Sequence, residues 1–202
     1  INTMRPLMET KFGNPSSSHW HGIAPRRAVK AAREQVAALL GARPDEIVFT
    51  SGGTESNNHA IKGTVQALRK KGNHIVTSVV EHPAVLEVCR FLKAEGIETT
   101  YLPVDEQGRV RVSDVERAIR PTTILISIMH ANNETGSIQP IAEIGSLANA
   151  HGIVFHTDAA QSAAKLEIDV DAMGISLLSL AGHKMCAPKG IGALFVRRDL
   201  EL

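Results

Sequence analysis

The stretch Ile153-Val154-Phe155-His156-Thr157-Asp158-Ala159-Ala160-Gln161 decides how this chain is read. Ile153 to Phe155 is a run of β-branched and aromatic residues, which predicts a short buried strand. The residues that follow, Asp158 and Gln161 among them, predict a loop at the strand's carboxyl end. A second stretch repeats the design: Ile175 to Leu180 is largely apolar and opens into Gly182-His183-Lys184. Neither run alternates apolar with polar residues, so both faces of each strand are expected to be covered.

Outward from these stretches, helical and extended patterns alternate along the chain. Pro25 to Leu40 predicts a helix, with Ala28, Ala32, Val36, Leu39 and Leu40 on one face and Gly41 as its stop. Ile47 to Thr50 predicts a strand, and Glu55 to about Lys71 a helix that Gly72 ends. Further strands are expected at His74 to Ser78, Glu98 to Val104, Thr123 to Met129 and Gly192 to Val196. One helix follows Pro83 as far as about Ala94, and another has Pro140 in its first turn and reaches Ala150. Ser113 and Glu116 have capping-box spacing and predict a third helix start between them and the strand at Thr123. The order predicts an α/β three-layer sandwich, with helices on both faces of a mostly parallel sheet.

Composition removes several function classes. Apolar content of 43% supports one sizeable core, and a formal net charge of +1 gives no reason to expect nucleic acid or an acidic membrane as partner. No apolar run is long enough to span a bilayer. Cys89 and Cys186 make neither a disulfide framework nor a zinc spacing, so a reduced, cytoplasmic setting is expected. Cys89 shares a helical face with Val85, Val88 and Leu92 and reads as core. His19-Trp20-His21 lacks the third ligand a metal needs. The start at Ile1 and the stop just after a strand predict a piece of a longer protein.

In a parallel sheet, ligands sit beyond the carboxyl ends of the strands, so the residues just after each strand carry the chemistry. Gly52-Gly53-Thr54 can offer backbone amides and a hydroxyl to a phosphate at a helix start, or can be an ordinary tight turn. His82 can stack on a flat ring and move protons, or be a bonded loop histidine. Asn133, in Asn132-Asn133-Glu134-Thr135-Gly136, can donate to a phenolic oxygen, or serve the turn. Asp158 can pair with a pyridine nitrogen and raise its pKa, or cap a helix. Gln161 is one turn further on. Lys184, read as ending a buried strand, can form a Schiff base with an aldehyde once desolvation favours its neutral amine. Lys189 lies in a Pro-Lys-Gly turn and reads as solvated. Together the five loops supply what pyridoxal phosphate (PLP) requires.

The strings GNPSSSH (13–19), IVFTSGGTESNN (47–58), EHPAVLEVCR (81–90), MHANNETG (129–136), FHTDAAQS (155–162) and GHKMCAPKGIGALFVRR (182–198) carry a resemblance. The chain resembles the NifS-like cysteine desulfurases, which belong to the class V aminotransferases of PLP fold type I, over essentially its whole length. Selenocysteine lyases share most of the strings and are the nearest rival. A nucleotide-binding α/β module and a non-catalytic remnant are the alternatives from other classes.

The resemblance implies an aspartate aminotransferase-like large domain, of which residues 1–202 are a part. The start of that domain and a C-terminal small domain lie outside it. Lys184 and His82 become the catalytic pair, with Lys184 holding PLP through a Schiff base and His82 stacking on the ring. Gly53, Thr54 and His183 would bind the phosphate, Asp158 the pyridine nitrogen, and Asn133 and Gln161 the ring and substrate. The implied reaction takes sulfur from L-cysteine, leaving L-alanine and an enzyme persulfide for iron–sulfur cluster assembly or other sulfur transfer. The implied partners are a second copy of the chain and a sulfur-acceptor protein. Three departures stand out. Ala181 replaces the serine usual before Gly-His-Lys, and Met185-Cys186-Ala187 replaces a pattern with glycine at its third position. The family's nucleophilic cysteine lies far beyond the lysine, so neither cysteine here corresponds to it. The fragment alone is therefore expected to be inactive.

Overall fold

The computed structural model describes residues 2–202, with strands and helices alternating over most of that length. In chain order these are α1 (Arg5–Glu9), α2 (Ile23–Leu39), β1 (Ile47–Thr50), α3 (Gly53–Leu68), β2 (His74–Ser78), α4 (Pro83–Lys93), β3 (Glu98–Leu102), α5 (Val112–Ala118), β4 (Thr123–Ser127), α6 (Ile141–Ala150), β5 (Val154–Asp158), β6 (Leu177–Ala181) and β7 (Gly192–Val196). The strands form one seven-stranded sheet in the order β1-β7-β6-β5-β4-β2-β3. β7 runs antiparallel to both β1 and β6, and the other pairings are parallel. Six carboxyl ends therefore share one edge of the sheet.

Strand residues alternate between the two faces, and the apolar runs feed both. Ile75, Leu125, Val154, Leu177 and Leu194 pack with Ile61 and Val65 of α3 and Val85, Val88 and Leu92 of α4. Their neighbours Val76, Ile126, Phe155, Leu178 and Phe195 pack on the other face with Ala37 of α2, Val115 of α5 and Ile144 and Ala148 of α6. This is the three-layer arrangement expected from the continuous apolar strands. Burying a side chain of the size of Phe155 or Ile126 stabilises the fold by roughly 1.5–3 kcal/mol.

Several boundaries differ from the sequence reading. α3 starts at Gly53 and stops at Leu68, before Gly72. Gly72 serves a different purpose: a Cβ there would lie 2.2 Å from the Thr122 carbonyl oxygen, so glycine permits a close crossing. The residue at the start of α5 is Arg111, and Ser113 lies inside the first turn without capping it. Pro140 is the residue before α6, not its first member. β4 ends at Ser127, yet the Ile128 and His130 amides still donate to the carbonyls of His156 and Asp158, which carries the extended path on toward the sheet edge.

Candidate active site

Five loops leave the carboxyl edge, and each brings one or more polar groups to a common cavity of about 150 Å³. The first follows β1. Gly52 holds φ at 157°, and a Cβ on Gly192 would lie 2.7 Å from the Gly52 Cα, so the loop rests directly on the start of β7. The Ser56 hydroxyl fastens it further, lying 2.8 Å from the Thr50 hydroxyl and donating to the Ala193 carbonyl at 3.0 Å. No side chain caps α3, so its first amides point beyond the sheet unclaimed by any side chain. Gly53 and Thr54 line the cavity there.

The second loop follows β2. His82 stands at the start of α4, where its Nδ1 accepts the Ala84 amide at 3.1 Å. That bond leaves the ring's proton on Nε2 when the imidazole is neutral. His82 is thus both a bonded loop histidine and a cavity wall. Beside it, Glu81 is buried. Its Oε1 accepts from the Ser78 hydroxyl at 2.6 Å and from the Met129 amide at 3.0 Å. Burial pushes the Glu81 carboxyl up to about 8, and the charge of Asp158 adds to the rise.

The third loop divides its two asparagines. Asn132 is buried and builds the turn, donating to the Val80 carbonyl and accepting from the amides of Glu134 and Thr135. Asn133 is exposed and lines the cavity, with its amide donating to the Glu134 carboxylate at 2.7 Å. The fourth loop begins with Asp158, the last residue of β5 and buried. Its Oδ1 accepts the Ala160 amide at 2.9 Å, and its Oδ2 accepts from the Asn57 side chain at 2.7 Å. Gln161 is half-buried one turn on and also lines the cavity.

The fifth loop corrects the reading of the lysine. β6 ends at Ala181, and Gly182–Met185 is a single 3-10 turn. Lys184 lies in that turn and is exposed, not buried at a strand end. The apolar run stops before it, so the turn, not the strand, aims the side chain at the cavity. Lys189 is exposed, as its turn sequence implies. The left-handed residue is Cys186, with φ of 63°, so the conformation that favours glycine falls one residue before Ala187.

All eight residues singled out from the sequence (Gly53, Thr54, His82, Asn133, Asp158, Gln161, His183 and Lys184) line this one cavity. Asn57 does so as well, although it follows no strand end directly. Its signal was spacing: four residues after Gly53, it falls on the face of α3 that turns toward the loops. Under the cavity, His156 lies between two serines, with Ser127 Oγ at 2.8 Å from Nδ1 and Ser179 Oγ at 3.0 Å from Nε2. Burial drives the His156 pKa down to about 3, so the ring is neutral.

The profile of the aminotransferase class-V family matches residues 1–201. The chain belongs to the aminotransferase class-V family. Among curated class-V relatives, a cysteine desulfurase IscS of Dictyoglomus turgidum is 54% identical over 199 residues, covering 98% of this chain and 50% of that protein. One from Methanosarcina thermophila is 52% identical over 202 residues, covering all of this chain and 50% of that protein. Among solved structures, SspA in complex with cysteine superposes with a TM-score of 0.95 at 51% identity, covering 98% of this chain and 57% of that one. A NifS-like protein superposes with a TM-score of 0.96 at 35% identity, covering all of this chain and 56% of that one. The chain spans about half the length of the curated relatives it matches.

Class-V enzymes depend on PLP, and the polar groups of this cavity fit that cofactor. Asp158 supplies the only carboxylate among the lining residues. Beside it, Asn57 Oδ1 is buried and without a hydrogen-bond partner among the described residues. That part of the cavity therefore offers acceptors, which suit a protonated ring nitrogen. Donors gather elsewhere: the first amides of α3, Thr54, His183 and Lys184, which suit a phosphate and an aldehyde. Among the described residues, no group of three or more His, Cys, Asp or Glu could hold a metal, and no helix is long and apolar enough to cross a membrane.

Proposed function

We propose that this chain is the central part of the large, PLP-binding domain of a cysteine desulfurase, which takes sulfur from L-cysteine and leaves L-alanine. The observation that carries the reading is the meeting of Lys184, Asp158, His82 and the α3 N-terminus around one cavity. The identity to relatives named cysteine desulfurase, and the likeness to a structure solved with cysteine, support the substrate.

PLP bound here supplies an aldehyde that takes up an amine and a ring that withdraws electrons. Lys184, on its short turn, presents the amine that holds the cofactor covalently. Asp158 would accept from the ring nitrogen, and the Asn57 side chain, donating to Oδ2, fixes the carboxylate's orientation. Gly53, Thr54 and His183 bind the phosphate. Asn133 and Gln161 orient the ring and the substrate. His82 would stack on the ring, and its Nε2 is the nitrogen free to exchange a proton, since the Ala84 amide occupies Nδ1.

Sulfur transfer also needs a thiolate. Cys89 cannot provide it: it is buried in the core, and burial pushes its thiol up to about 12. Cys186 is exposed, but it lies on a left-handed turn residue and is not the counterpart of the family's nucleophile. The proposal places that nucleophile, the small domain and the sulfur-acceptor contacts in the rest of the full-length protein. A homodimer and a cytoplasmic setting belong to the same reading, the latter in keeping with two free thiols. Delivery of sulfur to iron–sulfur clusters fits the naming of the relatives.

The deciding experiment is PLP absorbance followed by borohydride reduction and peptide mapping. A reduced adduct on Lys184, lost completely in Lys184→Ala, is the expected result. An adduct on another lysine, or none, overturns the site. A persulfide formed by residues 1–202 alone would show that the rest of the protein is unnecessary.

A further inference from the structure

Glu81 is buried behind the cavity wall and is not one of its lining residues. Its two oxygens are in different situations. Oε1 accepts two hydrogen bonds, from Ser78 Oγ and from the Met129 amide, and so ties the turn after β2 to the segment after β4. Oε2 is buried and has no partner among the described residues. An ionised Glu81 would therefore bury a charged oxygen with nothing to solvate it, close to the charge of Asp158. Neighbouring carboxylates that cannot both ionise share the cost unequally, and the one with poorer solvation keeps the proton. Asp158 has donors on both oxygens, and Glu81 on only one.

We propose that Glu81 is a positioning residue that works as a neutral acid: it clamps the His82 turn to the Met129 backbone while leaving Asp158 as the single anion of the cavity. Both clamped segments form cavity wall, through His82 and Ala84 on one side and Met129 and Ala131 on the other. Asn132 reinforces the same junction by donating to Val80. The groups facing Glu81 are Asp158 at the end of β5, the Cys89 thiol on α4, the Ser78 hydroxyl at the end of β2 and, on its own turn, His82. Cys89 stays neutral across the working range, so Asp158 is the charge that matters.

The sign with pH follows. In the folded protein Glu81 loses its proton well above the ordinary carboxylate range, whereas in the unfolded chain it does so within that range. The stability it contributes is full below the ordinary value of 4.5 and is lost as pH rises toward about 8. Ionisation then favours opening of the two clamped segments to water.

The role of the clamp rests on the cavity being a PLP site, and the test separates the two. Amide exchange of the Met129 segment and PLP affinity are measured on the full-length protein from pH 6 to pH 9, in the unaltered protein and in Glu81→Gln and Glu81→Ala. The Gln variant keeps a neutral group of the same shape. The expected result is a loss of Met129 protection, beyond intrinsic exchange, of about tenfold between pH 7 and pH 9 in the unaltered protein, with a parallel loss of PLP affinity. Glu81→Gln removes both pH dependences and keeps the protection, and Asp158→Asn moves the protection midpoint to lower pH. Identical pH profiles in the unaltered protein and Glu81→Gln overturn the clamp while leaving PLP binding intact. Failure of the unaltered protein to bind PLP at any pH overturns both. If Glu81→Ala does not fold, the Gln profile alone decides.

Discussion

The two ends of the sheet treat their polar groups differently. At the amino end, His74 is buried with both ring nitrogens engaged, by the hydroxyls of Thr123 and Thr100, each at 2.8 Å. Thr123 also accepts the Arg120 amide, and Arg120 reaches across to Glu98 at 2.6 Å. At the carboxyl end, Asn57 Oδ1, Glu81 Oε2 and His130 Nδ1 are buried without partners among the described residues. Two more such atoms, Thr99 Oγ1 and Thr157 Oγ1, lie within β3 and β5. An unpaired buried polar atom costs about 1–3 kcal/mol, so a fold keeps such atoms where something else will meet them. The amino end is closed by the chain's own side chains. At the carboxyl end, Asn57 lines the cavity, so its free acceptor faces a ligand, whereas Glu81 and His130 lie behind the wall.

Substitutions at the two ends separate these roles. The largest effect belongs to Asp158→Asn, which removes the anion, keeps an acceptor for the Ala160 amide and puts a donor where Asn57 now donates. PLP affinity should fall about 10- to 100-fold, the worth of a charged hydrogen bond. Equilibrium dialysis reads the affinity, and an unchanged value would remove Asp158 from the site. Ala181→Ser should act in the opposite direction. The Ala181 side chain lies within 3.3 Å of where a Cβ on Gly53 would sit, so a hydroxyl there is next to the first turn of α3. Affinity for PLP should rise about tenfold, and no change would mean that the phosphate is held without that position.

At the amino end, Thr123→Val breaks the bonds to His74 and Arg120. Urea unfolding should show a loss of about 1–3 kcal/mol while PLP affinity stays as it was. A matching loss of affinity would mean that the two ends are coupled. A further effect at this end and beneath the cavity is a slope in stability with acid. Burial lowers the pKa of His74 to about 4 and that of His156 to about 3, below the ordinary value of 6.5. The unfolded chain binds more protons in that window, so stability should fall as pH drops from about 6.5. Replacing Thr123 should change the slope from His74 and leave that from His156.

Much of this architecture was legible in the sequence because apolar runs and the loops after them carry local signals. Ile153 to Phe155 and Gly192 to Val196 read as strands for the reasons that they are strands, and the residues that follow the strands are the ones that meet. Tertiary context hid the rest. Asn57 sits mid-helix, where an asparagine resembles any surface residue until α3 is laid across the sheet. Lys184 looked buried because an apolar run precedes it, yet a single turn intervenes. The left-handed position fell on Cys186, which nothing in its side chain marks. Gly72 looked like a helix stop, but its reason is the Thr122 backbone that passes beside it.

The reversed strand β7 has a consequence for the order of assembly. β1, near the beginning of the chain, has β7 as its only neighbour in the sheet, and the Ser56 hydroxyl that secures the first loop donates to Ala193. Contacts between segments so far apart in sequence form late, because the intervening chain must first be gathered in. On the ribosome, the loop after β1 made from early residues lacks its Ala193 anchor until residues 192–196 have emerged. On the proposed reading, capture of the cofactor becomes a checkpoint near the end of this domain's folding: a chain interrupted before β7 would carry most of the cavity's side chains but not the anchor of the loop assigned to the phosphate.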